Sequence, residues 1–539
     1  MKQQSKRQAV NPYLPLYEYI PDGEPHVFGD RLYLYGSHDR FDGRKFCEND
    51  YVCWSAPVTD LADWRYEGVI YHRTQDPRMP HGEHELWAPD VVQGKDGRYY
   101  LYYCPDDKVK SIGVAVCDTP AGHYMFYGMV RDREGGILGE RPGDTIPFDP
   151  GVFRDEDGTV YLYSGNGPRT EKEAVKTQKA SVVMTLEDDM LTLRTEPRRL
   201  LPTVGHSRGT GFAGHELFEA SSIRKIRGKY YLVYSSIACH ELCYAVSDRP
   251  DRGFRYGGVV VSNCDLFPGE KPRYAFGNNH GGLECINGQY YIFYHRPTNR
   301  SMYSRQGCAE RVEIRPDGSI PQVCVTSCGL NGGPLAAKGS YPATICCHLY
   351  GKRTPTYSVR MLMGNKHPYI TQDGPDWSPG DAGQPPRQYI ANGRDGMTAV
   401  YRYFHCEGTT RIQVTVRGRA RGRLLVRLTP GGEPVGAVDL VPSGTWTKFS
   451  GQLAIPDGDH TLCLCYEGKG RLDFLEFSLS GTKTHPAKTR NYRIEPTPSS
   501  RTAPGMKHTP FVIQYGILSN RWGTFTHTSC HRFKQGEPS

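Results

Sequence analysis

A glycine followed closely by an aromatic-rich strand recurs five times in the first 300 residues, and no other feature restricts the fold so tightly. The copies are Gly29-Asp-Arg-Leu-Tyr33-Leu-Tyr, Gly97-Arg-Tyr-Tyr100-Leu-Tyr, Gly158-Thr-Val-Tyr161-Leu-Tyr, Gly228-Lys-Tyr-Tyr231-Leu-Val and Gly288-Gln-Tyr-Tyr291-Ile-Phe. Their central tyrosines stand 67, 61, 70 and 60 residues apart. A repeat of this length marks units that bury their apolar faces against their neighbours. Each copy is a turn glycine launching a run of Tyr, Leu and Val, the composition of a buried strand.

Further strand-like pieces follow each copy. Gly113 to Val116 then Gly122 to Tyr127, and Cys243 to Val246 then Gly253 to Tyr256, share one turn grammar, with Asp118-Thr-Pro and Asp248-Arg-Pro in equivalent places. Four strands per unit and five units predict an all-β, five-bladed β-propeller over residues 11–320. Residues 321–355 read as a connecting segment, and short alternating strands over 356–480 predict a β-sandwich. From 481 to 539 the pattern dissolves into Thr, Ser, Pro, His and basic residues, a composition expected to be disordered.

Composition narrows the function. No apolar run approaches the ~20 residues of a membrane helix. Met1 to Val10 is polar with no apolar stretch behind it, so a cytoplasmic location is expected. The 17 cysteines show no paired CxxC at zinc-finger spacing, and reduced, mostly buried thiols are expected. The net charge of +8 invites a nucleic-acid reading, but residues 481–539 hold nine Lys or Arg against two Glu, leaving +1 for the other 480 residues. A nearly neutral body suits an uncharged substrate. The basic tail fits an electrostatic tether and equally an extension foreign to both domains.

Chemistry must be sought where the blades converge. Asp22, Asp149 and Glu219 precede their signature tyrosines by 11, 12 and 12 residues, and Asp90 and His280 by 10 and 11. The repeat therefore predicts a ring of titratable groups at one end of the axis. Asp readily caps turns, which competes with a catalytic role for Asp22 and Asp149. Glu caps turns poorly, and Glu219 lies between Phe218 and Ala220, where apolar surroundings raise a carboxyl's pKa as a general acid requires.

These residues, with Tyr-Leu-Tyr-Gly-Ser-His-Asp39, Trp87-Ala-Pro-Asp90, Phe148-Asp-Pro-Gly-Val-Phe153, Gly277-Asn-Asn-His280-Gly and Tyr294-His-Arg296, resemble glycoside hydrolase family 43. The resemblance implies a propeller glycosidase acting mainly on arabinose- and xylose-containing glycans, with inversion of configuration. It implies Asp22 as general base, Asp149 as the residue tuning and orienting the acid, and Glu219 as general acid. Trp87, Asp90 and Arg296 are its candidate sugar contacts, and His280 matches the position that approaches an axial calcium, largely through water. The family has Asp-Pro at the base; here Asp22 is followed by Gly, and Glu24-Pro25 comes two later, so Glu24 competes for that role. The 356–480 block is similar to a family 6 carbohydrate-binding module, with Trp446 either stacked on sugar or buried. The implied partner is an oligosaccharide and the implied action exo. A glycan-binding propeller without catalysis and a protein-interaction propeller are the alternatives.

Overall fold

A computed structural model describes residues 7–106, 111–272, 277–352, 356–357, 362–363 and 366–481. The expected disordered tail, beyond Gly481, lies outside the described residues. The propeller and the sandwich belong to one compact unit.

The five repeats build five antiparallel blades. The first contains Glu24–Phe28, Arg31–Tyr35, Tyr51–Pro57 and Arg65–Tyr71, paired in that order. The second runs from Leu86–Gln93 to Met125–Met129, the third from Gly151–Arg154 to Arg198–Arg199, and the fourth from Leu217–Ile226 to Arg255–Ser262. The fifth has three strands, Leu283–Ile286, Gln289–Pro297 and Arg305–Val312, one fewer than the repeat predicts. Its open edge is covered by the chain's own start. Tyr13 N–H donates to the Gly307 carbonyl, and the Asn11 side-chain amide donates its Nδ2 to the Ala309 carbonyl and accepts at Oδ1 from Ala309 N–H. An uncovered edge would leave ladder groups unpaired, so the N-terminal segment completes the ring.

Each signature tyrosine pair does the work its alternation suggests. Tyr33 and Tyr35, for instance, face the interface between blades one and two with Val91, Leu101 and Tyr103, whereas Leu32 and Leu34 face blade five with Ile286 and Phe293. Side chains alternate across a strand, so one strand feeds two blade interfaces. Every cysteine among the described residues is a free thiol.

The sandwich starts earlier than the sequence suggests. One sheet orders Leu335–Ala336, Thr398–Cys406, Gly458–Lys469, Arg421–Arg427 and Pro434–Leu440, with His348–Tyr350 on the same edge of Thr398–Cys406 as Leu335–Ala336, at its other end; the second takes in Gly339–Pro342 against Leu472–Gly481. Three short strands from the expected connector thus belong to this domain. They escape a pattern search because two to four residues are too few to display a period. Trp446 is half-buried, with the Arg417 guanidinium 4.3 Å over its ring. That cation occupies a face a sugar would need.

Propeller and sandwich meet through buried polar contacts. Arg296, a candidate sugar contact by sequence, donates instead to the carbonyls of Thr344 (2.7 Å) and Cys346. Tyr19 bonds Gln372 and Gln388, and Asp376 accepts from Phe41 N–H and Asn49 Nδ2. Truncating Arg296 leaves two buried carbonyls unsatisfied, so Arg296→Met is expected to lower the unfolding free energy by roughly 2–4 kcal/mol. Denaturant unfolding of the two proteins measures this, and equal midpoints would show that the contact contributes nothing.

Candidate active site

The blades enter the axis through a shared backbone device. Asp22 (φ 55°), Ala88 (20°), Asp149 (41°), Ala220 (71°) and Asn278 (46°) are left-handed, one per blade. Left-handed backbone costs a non-glycine residue roughly 1–2 kcal/mol, so its recurrence here points to a functional constraint. In blades two and four the device interrupts the strand, with register shifts between Trp87 and Asp90 and between Glu219 and Ser222. Such a bulge re-aims the side chains beside it. Asp22 and Asp149 occupy the left-handed position itself, whereas Trp87, Phe148 and Glu219 come one residue before it. Equal spacing to the tyrosines thus conceals two structural classes.

A cavity of about 890 Å³ opens at this end of the axis, lined among others by Asp22, Trp87, Phe148, Asp149, Glu219, His280 and Arg305. The three proposed catalytic carboxylates are therefore brought together. Trp87 lines the wall edge-on to Phe148, at 5.5 Å. Asp90 does not line it; its carboxylate accepts from Val152 N–H at 2.7 Å and meets His26 Nε2 at 2.7 Å. Glu24, the competing base, is set back as well, held by Ser222 Oγ (2.7 Å) and Arg224 (2.9 Å).

Asp22 is anchored by a residue the sequence reading missed. Arg305 Nη1 lies 3.0 and 3.2 Å from the two Asp22 oxygens, while its Nε and Nη2 donate to Asp39 at 2.8 and 2.9 Å. Arg305 and Asp39 are 3% and 0% exposed, so the Asp39–Arg305 pair is buried while Asp22 faces the cavity. Burial alone would push the Asp22 carboxyl up, but the Arg305 charge and the neighbouring His295 hold it well below the usual carboxylate range. The site thus keeps one carboxylate ionised at any physiological pH.

The other two acids are pushed the opposite way. Burial, reinforced by the Asp22 charge, raises Glu219 to about 7, although Arg169, Arg305 and Lys179 pull it down. Burial raises Asp149 well above its ordinary value, with Glu219 and Asp22 adding to the effect. Environments that separate the pKa values of neighbouring carboxyls separate acid from base.

His280 Nδ1 lies 3.6 Å from Asp149 Oδ2 and 3.8 Å from Asp22 Oδ1, and burial lowers its pKa to about 4. Calcium takes six to eight oxygen ligands. His280 offers nitrogen, and the Asp22 oxygens are already engaged by a guanidinium. This donor set does not fit a calcium bound directly by His280, which leaves the approach through water that the resemblance implies; Arg305 is the protein's own cation beside Asp22.

The reason Arg305 rather than Arg296 reaches the cavity is strand alternation. Arg296 faces Gln306 across the ladder, and Pro297 faces Arg305. His295 and Arg305 share the axial face, while Arg296 lies on the face turned to the sandwich.

The family model for glycosyl hydrolases family 43 matches residues 17–320. Over 481 residues, 88% of this chain and 99% of the other, the sequence is 51% identical to a xylosidase/arabinosidase of Thermoclostridium stercorarium. The chain belongs to glycosyl hydrolase family 43. A xylosidase/arabinosidase of Bacteroides ovatus is 31% identical over 52% of this chain and 87% of its own. A solved β-xylosidase/α-arabinofuranosidase from a compost metagenome, in complex with xylotriose and calcium-free, is 24% identical over 59% of this chain and 98% of that one, with a TM-score of 0.46. This family 43 chain is accordingly a glycoside hydrolase.

Replacing Arg305 by Met removes the charge that keeps Asp22 ionised. The acid limb of the kcat/KM profile is expected to move up by at least ~1 pH unit, with Arg305→Lys restoring part of the shift. A profile that falls in height without moving would assign Arg305 a purely structural part.

Proposed function

We propose that this glycoside hydrolase releases terminal α-L-arabinofuranose or β-D-xylose from plant-type oligosaccharides, acting from the chain end and inverting the anomeric centre. The observation that carries the proposal is the pair formed by Asp22, ionised under Arg305, and Glu219, a carboxyl near pH 7, on one cavity. The sugar class follows the relatives, named xylosidase/arabinosidase. The near-neutral charge of residues 1–480 supports an uncharged substrate.

In the proposed step, water enters on the face of the sugar opposite the leaving group. Asp22 takes a proton from the water while the water oxygen bonds the anomeric carbon. The bond from that carbon to the glycosidic oxygen breaks, and the oxygen takes the proton of Glu219. Solvent then returns Asp22 to its anionic form and Glu219 to its acid form. Asp149 is placed to tune and orient Glu219: each carboxylate makes ionisation of the other costlier, and the Glu219 charge is among the causes that raise Asp149. Trp87 and Phe148 supply apolar wall against the sugar face. No step passes through a metal.

The required protonation states fix the pH dependence. Glu219 must be protonated, so kcat/KM is expected to fall as pH rises through about 7. Asp22 must be ionised, and its depressed pKa extends activity far into the acid range. Glu219→Gln is expected to cost ~10²-fold or more on substrates with poor leaving groups. An aryl glycoside panel with product analysis measures both the rates and the anomer formed. Intact arabinofuranosides and xylosides would favour a glycan-binding propeller, and a retained anomeric configuration would overturn the role of Asp22 as base.

A further inference from the structure

Blade four carries a second cluster of reactive side chains, none of which lines the catalytic cavity. His215 stands just before the strand Leu217–Ile226, and Glu241 and Cys243 lie two apart on the strand Glu241–Ser247, hence on one face. His215 Nδ1 is 2.6 Å from Glu241 Oε1. Cys243 Sγ is 3.6 Å from that oxygen and 3.9 Å from His215 Nδ1. Three different donor atoms, nitrogen, oxygen and sulfur, thus lie within 4.8 Å of one another.

The surroundings hold these donors in place. Ser236 Oγ donates to Glu241 Oε1 at 2.6 Å, and Tyr234 hydroxyl donates to the His215 carbonyl at 2.8 Å. The His215 ring stacks on Tyr256, with centroids 5.1 Å apart and an interplanar angle of 18°. Cys243 is fully buried, whereas the His215 side chain is 37% exposed. The cluster therefore has one open side, toward solvent.

A nucleophilic thiol is the other chemistry such a trio suggests. Burial and the adjacent Glu241 charge push the Cys243 thiol up, which opposes thiolate formation and argues against that use. A divalent cation reverses this logic, because it stabilises thiolate and carboxylate together.

We propose that His215, Glu241 and Cys243 form a binding site for a zinc-like divalent transition metal, with solvent as the fourth ligand. Thiolate with imidazole selects this class over calcium or magnesium, which prefer oxygen. Bonds of about 2.3 Å to sulfur and about 2.0–2.2 Å to nitrogen and oxygen set tetrahedral donors roughly 3.3–3.6 Å apart. Both sulfur distances already lie near that range, and only the His215–Glu241 contact must open. Binding displaces the thiol proton and the proton shared by His215 and Glu241, and the metal–ligand bonds take their place. Ser236 supplies the outer hydrogen bond that orients the carboxylate.

Occupancy has a route to the catalytic wall. His215 precedes Glu219 by four residues. The turn that joins the blade's second and third strands, Ile237 to Cys239, lines the cavity. A metal here would tie that hairpin to the segment leading to Glu219.

The test is spectroscopic. The full chain is stripped with chelator and titrated with Co²⁺. A sulfur-to-cobalt charge-transfer band with tetrahedral d–d absorption is expected, saturating at about one metal per chain and displaced by Zn²⁺. Cys243→Ser should abolish the charge-transfer band, and His215→Ala should weaken Co²⁺ binding by at least ~10-fold. His215 is partly exposed, so its variant carries the test should Cys243→Ser fail to fold. A wild-type chain without the band, a band that persists in Cys243→Ser, or unchanged affinity in His215→Ala would overturn the proposal.

Discussion

One buried guanidinium governs both the chemistry and the closure of this fold. Arg305 belongs to the last strand of the propeller, while Asp22 and Asp39 belong to the first blade. The ion pairs that keep Asp22 ionised therefore also join the two ends of the ring. A charge removed from water is costly unless it is paired and fully hydrogen-bonded. Arg305 is both, with Phe46 stacked against it at 4.8 Å.

Much of this was legible in the sequence because the repeat imposes a period and the axis gathers equivalent positions. The five blades and the cluster of Asp22, Asp149 and Glu219 follow from that regularity, whereas the Trp87 wall follows from the family resemblance alone. Arg305 carries no comparable signal. It lies in a third strand, away from the Gly-Tyr idiom, and its partner Asp39 is reached through a loop rather than a ladder. Tyr-His-Arg296 lies near the end of a signature strand and so points to Arg296 in the sequence, whereas the strand pairing gives the axial face to Arg305. Asp90 and Glu24 were misplaced for a related reason. Spacing along the chain counts residues, but a left-handed turn changes where the next side chain points.

The sandwich contributes to the cavity at one remove. Asp376 holds Phe41 and Asn49, which flank the loop carrying Phe46 and Cys47 on the cavity wall. Asn49 also bonds the Asp39 carbonyl. The sandwich, with Arg417 over the Trp446 ring, thus acts here as a buttress for the residues that grip Arg305. Its removal would take away the Thr344 and Cys346 carbonyls and leave the buried Arg296 guanidinium without these acceptors.

The left-handed ring also bears on how tightly the cavity carboxyls are aimed. At φ 71° Ala220 holds a backbone that glycine would adopt with less strain. Glycine would also free the backbone next to Glu219. The alanine thus trades local backbone strain for a narrower range of orientations of the Glu219 carboxyl.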